Sequence, residues 1–114
     1  MEGHEESNRL FADLSSTGVS ISAISYMEIV QGLLQASGGA LEEFHRFLRD
    51  VPVLAVDQDV AYRCATLRLT LTSQGKRVRQ RALDLLIAAT AIEHNLTLVT
   101  RNLADYRDVP GLIL

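Results

Sequence analysis

The run from Ala82 to His94, ALDLLIAATAIEH, is apolar on nearly every side of a helix. A helix with no polar face must be covered all round by the rest of its own fold. The chain has 114 residues, about one domain's worth, and can bury one core without staples. Hydrophobic residues make up 47% and charged residues 22%, a globular balance that excludes a disordered or collagen-like chain. The expectation is a single domain over residues 1–114 built around this helix.

The elements around it read as alternating strands and helices. Leu10, Phe11 and Leu14 predict a short amphipathic helix over residues 5–15. Val19 to Ile24 alternates like a strand. Ser25-Tyr26-Met27-Glu28 has the spacing of a capping box, with a helix running on to Leu34. Leu41, Phe44, Phe47 and Leu48 form the stripe of a second helix. Val51 to Val56 is a β-branched run, and Pro52 puts it at a sheet edge. Asp57 can cap the next helix, whose core stripe is Val60, Cys64, Leu67 and Leu71 and whose stop is Gly75. After the apolar helix come a strand over Thr97–Thr100, a polar turn through Asp105, and a last strand over Gly111–Leu114. This order implies an α/β fold with a parallel sheet covered on both faces.

Acids outnumber bases 14 to 11, a formal charge of −3, so any nucleic-acid contact must be local rather than a bulk effect of charge. The one local excess of base is the loop Lys76, Arg77, Arg79 and Arg81, readable as a phosphate-contacting patch or as a solvated loop. The single cysteine, Cys64, falls on a core stripe and suits a reducing compartment. Neither a bilayer-spanning stretch nor a signal-peptide pattern is visible, so a cytoplasmic protein is the expectation.

Ligands of parallel α/β sheets sit beyond the carboxyl ends of the strands. Three acids could face that rim: Glu28 just after the first strand, Asp84 at the opening of the apolar helix that leads into the next strand, and Asp105 after the Thr97–Thr100 strand. Each also has a local use. Glu28 could close the capping box, Asp84 could favour a helix dipole, and Asn102 to Asp105 has the spacing of an N-cap pair. Asp84 fits its local use least well, because a buried unpaired carboxylate costs several kcal/mol. A divalent cation would offset that cost, and hard cations take oxygen ligands.

ISAISYMEIVQG, ALDLLIAATA and LTLVTRNLADYRDVPGL, in this order, resemble a PIN domain, and within that family the VapC-type toxins of prokaryotic toxin–antitoxin pairs. The resemblance covers about Val19 to Leu114. It implies a PIN-like three-layer α/β/α fold with a short parallel sheet. It also implies a metal-dependent endoribonuclease using Mg²⁺ or Mn²⁺, with Glu28, Asp84 and Asp105 as the metal-holding catalytic acids and Thr100 and Asn102 orienting the site. RNA would be the substrate, cleaved by in-line attack of a metal-activated water, and a VapB-like antitoxin the partner. Such proteins begin with a strand ending in an L-D-T-N-like motif, and no such motif is present here; Asp13 falls inside the first predicted helix. The fold is therefore expected to be N-terminally truncated or degenerate and self-associating as a dimer; the two strands beside the missing one could pair directly, or a second copy could share or swap structure across the gap.

Two rival functions follow. A non-catalytic PIN domain would keep the fold and a protein-binding surface, since Mg²⁺ demands near-ideal geometry and three carboxylates could hold it too weakly. A flavodoxin-like nucleotide-binding module is disfavoured, because no Gly-rich loop joins a strand to a helix; Ser37-Gly38-Gly39 joins two helices.

Overall fold

The computed structural model describes residues 19–36 and 38–114. The helix expected over residues 5–15 lies outside the described residues. The described residues divide into two compact units, one ending at Leu54 and the other running from Ala55 to Leu114. The architecture is α/β, mostly helical with a short parallel sheet.

In the first unit, strand β1 (Ile21–Ser22) pairs in parallel with β2 (Val53–Leu54), with Ile21 opposite Val53 and Ser22 opposite Leu54. The Ile21 N–H also donates to the Pro52 carbonyl at 3.0 Å. Helix α1 (Ala23–Leu34) begins directly after β1, which corrects the longer strand expected over Val19–Ile24. The reason is local: Ser22, not Ser25, is the N-cap. The Ser22 hydroxyl accepts the Ser25 N–H at 3.0 Å and satisfies a donor the first helical turn would otherwise leave open. The capping box expected from Ser25 to Glu28 is therefore not formed, and Glu28 lies beyond the first turn of α1.

Helix α2 (Ala40–Phe47) presents the expected stripe, with Phe44 buried and Leu41, Phe47 and Leu48 half-buried. A single 3₁₀ turn follows at Leu48–Asp50. Ile21, Phe44 and Val51 are the buried centre of this unit, with Val19, Tyr26, Ile29, Val30 and Leu33 packed around them. Tyr26 is half-buried and stacks on Phe44 at 6.0 Å between ring centroids, while its hydroxyl meets His45 Nε2 at 3.0 Å.

In the second unit, α3 (Gln58–Ser73) is capped as expected: Asp57 Oδ1 accepts the Val60 N–H at 2.9 Å. Its stripe Val60, Cys64, Leu67 and Leu71 is buried. Gly75, at φ +81°, ends it by letting the Lys76 N–H return to the Leu71 carbonyl at 3.0 Å, a six-to-one closure that requires a left-handed residue. Helix α4 (Ala82–Glu93) is the apolar helix, with Leu85, Ile87, Ala88, Ala89, Thr90 and Ala91 all buried. Within its own unit, Leu85, Ala88 and Ala89 share one core with the α3 stripe, Tyr106 and Val109. Ala88 and Ala89 carry only a methyl group each, so the helix backbones can come close without leaving a void.

Helix α4 ends like α3, with Asn95 in the left-handed role at φ 54° and the Leu96 N–H on the Ala91 carbonyl at 2.8 Å. The His94 backbone N–H meets the Ile92 and Thr90 carbonyls, while its side chain is exposed. The two strands expected after α4 reduce to one parallel bridge, Thr97 to Ile113, with the Leu98 N–H on the Ile113 carbonyl at 2.8 Å. The pairing goes no further toward Thr100 because that residue already starts a turn. Its hydroxyl accepts the Asn102 N–H at 3.0 Å. Among the described residues, no helix is long and apolar enough to cross a membrane.

Candidate active site

Asp84 and Asp105 are carried by two segments that grip each other. Asp84 stands in the first turn of α4, where the helix dipole favours an acid, and it is half-buried. Asp105 ends a 3₁₀ turn at Leu103–Asp105 and is exposed. Tyr106, the next residue, is buried with 6% of its surface exposed, and its hydroxyl donates to Asp84 Oδ1 at 3.2 Å. In the other direction, Arg81 Nη2 donates to the Asp105 main-chain carbonyl at 2.9 Å. Asp84 is thus neither wholly buried nor unpartnered, which corrects the reason for singling it out.

Arg81 is itself fixed. Its guanidinium forks onto Asp108, Nη1 to Oδ2 at 2.9 Å and Nη2 to Oδ1 at 2.7 Å, and Lys76 Nζ adds a third bond to Oδ2 at 2.9 Å. The Arg81 hydrogen bonds, opposed by partial burial and helped by the Lys76 bond, hold the Asp108 carboxyl down at about 2. In return the Asp108 hydrogen bond raises the Arg81 pKa against the cost of burial, and the charges of Asp108, Asp84 and Asp105 add to it. One fixed cation therefore lies within electrostatic reach of both candidate acids.

The other expected residues stand as follows. Glu28 is exposed on α1, in the first unit, and performs no capping. Asn102 makes no side-chain cap bond; its carbonyl accepts the Asp105 N–H at 2.9 Å, so the expected N-cap pair is replaced by a main-chain turn. Thr100 supplies the hydroxyl that opens this turn. Within the basic loop, Lys76 and Arg81 are committed to Asp108, while Arg77 and Arg79 are exposed. Two residues were missed in reading the sequence for polar roles. Asp108 could have been found as the acid complementary to the basic loop. Tyr106, next to Asp105, carries no local sequence signal for a polar role.

The family model for the PIN domain matches residues 2–112. The chain belongs to the PIN-domain family. The match begins upstream of Val19, where the motif resemblance started. Among solved structures, this PIN domain is similar to VapBC2 from Rickettsia felis, bound to a DNA fragment from its promoter. The identity is 28% and the TM-score 0.75, with 94% of this chain and 80% of that one covered. It is similar to DNA-bound VapBC from Salmonella typhimurium at 27% identity and a TM-score of 0.77, covering 92% and 80%. A toxin–antitoxin complex from Klebsiella pneumoniae is 30% identical, with a TM-score of 0.62 and 83% and 72% covered. No curated protein matches the chain at comparable significance. The PIN domain is of the VapC type, and its α/β fold with a short parallel sheet matches those structures.

PIN domains generally use divalent metal ions. The donor chemistry here fits a hard cation: Asp84 and Asp105 offer carboxylate oxygens on braced segments, and Mg²⁺ typically takes one or two carboxylates with water and phosphate. The set is sparse, since among the described residues no three acidic, histidine or cysteine side chains gather into a group able to hold a metal.

Proposed function

We propose that this PIN domain, taken as one domain over residues 1–114, is a VapC-like toxin that cleaves RNA phosphodiesters as a metal-dependent endoribonuclease. The observation that carries the reading is the mutual grip of the Asp84 and Asp105 segments in a family member of VapC type. Glu28, Asp84 and Asp105 are the acids assigned to catalysis and to Mg²⁺ or Mn²⁺. Glu28 earns its place by having no capping task in α1. When bound, the cation would neutralise charge on the phosphoryl oxygens and acidify the attacking water.

The chain's own residues do the rest. Asp84 and Asp105 present negative charge from segments that cannot drift apart without breaking the Tyr106 and Arg81 bonds. Thr100 and Asn102 shape the turn that carries Asp105. Within the basic loop, Arg77 and Arg79 are exposed and not committed to Asp108, and so are available to RNA phosphates. A VapB-like antitoxin is the proposed protein partner, because the solved neighbours are VapBC complexes. Self-association as a dimer and a cytoplasmic location belong to the same proposal.

The second reading, a non-catalytic PIN domain that binds protein, is favoured by the lack of a three-acid group among the described residues. Incubation of the full chain with single-stranded and structured RNA in Mg²⁺, with Asp84→Asn alongside, separates the two. Cleavage by wild type alone supports the enzyme; identical behaviour of the two proteins supports the binding module.

A further inference from the structure

Two side chains tie the Asp84 and Asp105 segments together, and neither is explained by core packing alone. Tyr106 is buried against the α3–α4 core, where a phenylalanine would fill the same space. Its hydroxyl nevertheless reaches Asp84 Oδ1 at 3.2 Å. Arg81 is anchored by both Asp108 oxygens and spends a remaining donor on the Asp105 carbonyl at 2.9 Å. The two bonds run in opposite directions between the same two segments. Arg81 lies just before α4 and holds the turn, while Tyr106 lies just after the turn and holds the α4 acid.

We propose that Tyr106 and Arg81 are positioning residues that lock the Asp84 carboxylate and the Asp105 turn into one rigid divalent-cation platform. Tyr106 fixes the carboxylate by engaging one of its oxygens. Arg81 fixes the turn through its main chain, with Asp108 holding the guanidinium in the orientation that reaches it. Groups that hydrogen-bond a ligating carboxylate restrict its orientation, and their loss typically weakens metal affinity or activity by roughly 10–100-fold. The inference rests on the proposed cation-binding reading of the acids, and its test separates the two.

The experiment uses the full chain as wild type, Tyr106→Phe, Arg81→Lys, Asp84→Asn and the double variant Tyr106→Phe/Asp84→Asn. Tyr106→Phe keeps the ring and removes only the hydroxyl; Arg81→Lys keeps the charge and removes the fork. Amide hydrogen exchange without metal is measured first. A rise in exchange at Asp105 and Tyr106 in Tyr106→Phe and in Arg81→Lys, with the α3 core amides unchanged, supports the brace. Unchanged exchange at the turn overturns it whatever the metal does. Mn²⁺ affinity is then measured by calorimetry on the folded proteins. Tyr106→Phe is expected to bind Mn²⁺ roughly tenfold more weakly, with no further loss when added to Asp84→Asn. Equal Mn²⁺ affinity in wild type and Tyr106→Phe overturns the positioning role even if the exchange arm succeeds. Equal affinity in wild type and Asp84→Asn instead overturns the cation-binding reading, and the platform with it; the exchange result then shows that the brace itself stands.

Discussion

The Arg81 guanidinium closes on both carboxylate oxygens of Asp108, at 2.9 and 2.7 Å, and from that anchor reaches the main-chain carbonyl of Asp105 at 2.9 Å. A residue counted with the basic loop thereby ties the loop, the start of α4 and the Asp105 turn to one another. Forked arginine–carboxylate pairs fix geometry as well as charge, which a lysine at position 81 could not reproduce.

That pair makes stability depend on pH in a defined window. The Asp108 carboxyl is held at about 2 in the folded chain, below its ordinary value of 3.8. Its contribution is fully present above pH 4 and is lost as pH falls from there through about 2. With solvent screening allowed for, the loss is about 1–2 kcal/mol. Chemical unfolding measured from pH 5 to pH 2 should show this slope in wild type and a shallower one in Asp108→Asn. Equal slopes would remove the pair from the account.

The α3–α4 core should be intolerant of truncation. Leu71 and Leu85 are each 0% exposed and belong to one cluster. Leu71→Ala or Leu85→Ala should cost about 2–5 kcal/mol in urea unfolding, because the cavity left behind cannot fully collapse. A loss under 1 kcal/mol at both sites would mean that the helices do not share this core.

Two acids expected to cap helices should behave oppositely. Asp57 caps α3 through a 2.9 Å bond, so Asp57→Ala should destabilise by about 1 kcal/mol. Glu28 is exposed and caps nothing, so Glu28→Gln should change stability by less than about 0.5 kcal/mol while lowering RNA cleavage. A cap-sized stability loss in Glu28→Gln would restore the structural role that α1 does not show.

The basic loop should divide in two. Replacing exposed Arg77 and Arg79 by alanine should lower the salt-dependence slope of single-stranded RNA binding by about 1.4, two phosphate contacts' worth. Lys76 and Arg81 already face Asp108, so Lys76→Ala should move the slope less. A larger effect from Lys76 would mean that RNA displaces the ion pair.

Much of this fold is legible because helix signals are local. The Val60–Leu71 stripe, the Asp57 cap and the Gly75 stop each lie within one or two turns of chain and are observed as expected. Strand lengths were not legible. Ser22 competes for the role expected of Ser25, and a hydroxyl three residues earlier moves the helix start and shortens β1 to Ile21–Ser22. Likewise the Thr100 hydroxyl closes a turn where a strand was expected to continue. The candidate acids could be located by motif. Their bracing could not, because Arg81–Asp108 and Tyr106–Asp84 join residues 27 and 22 positions apart, and no local periodicity encodes such a pairing.

The central claim is that Asp84 belongs to a cation-dependent RNA-cleaving site. The most direct measurement is the single-turnover cleavage rate of a defined RNA against Mg²⁺ concentration, for wild type and Asp84→Asn at matched folded fractions. The account predicts a saturable rise with Mg²⁺ in wild type, abolished by chelation and reduced at least about 100-fold in Asp84→Asn. The same rate in both proteins, or a wild-type rate indifferent to Mg²⁺, would contradict it.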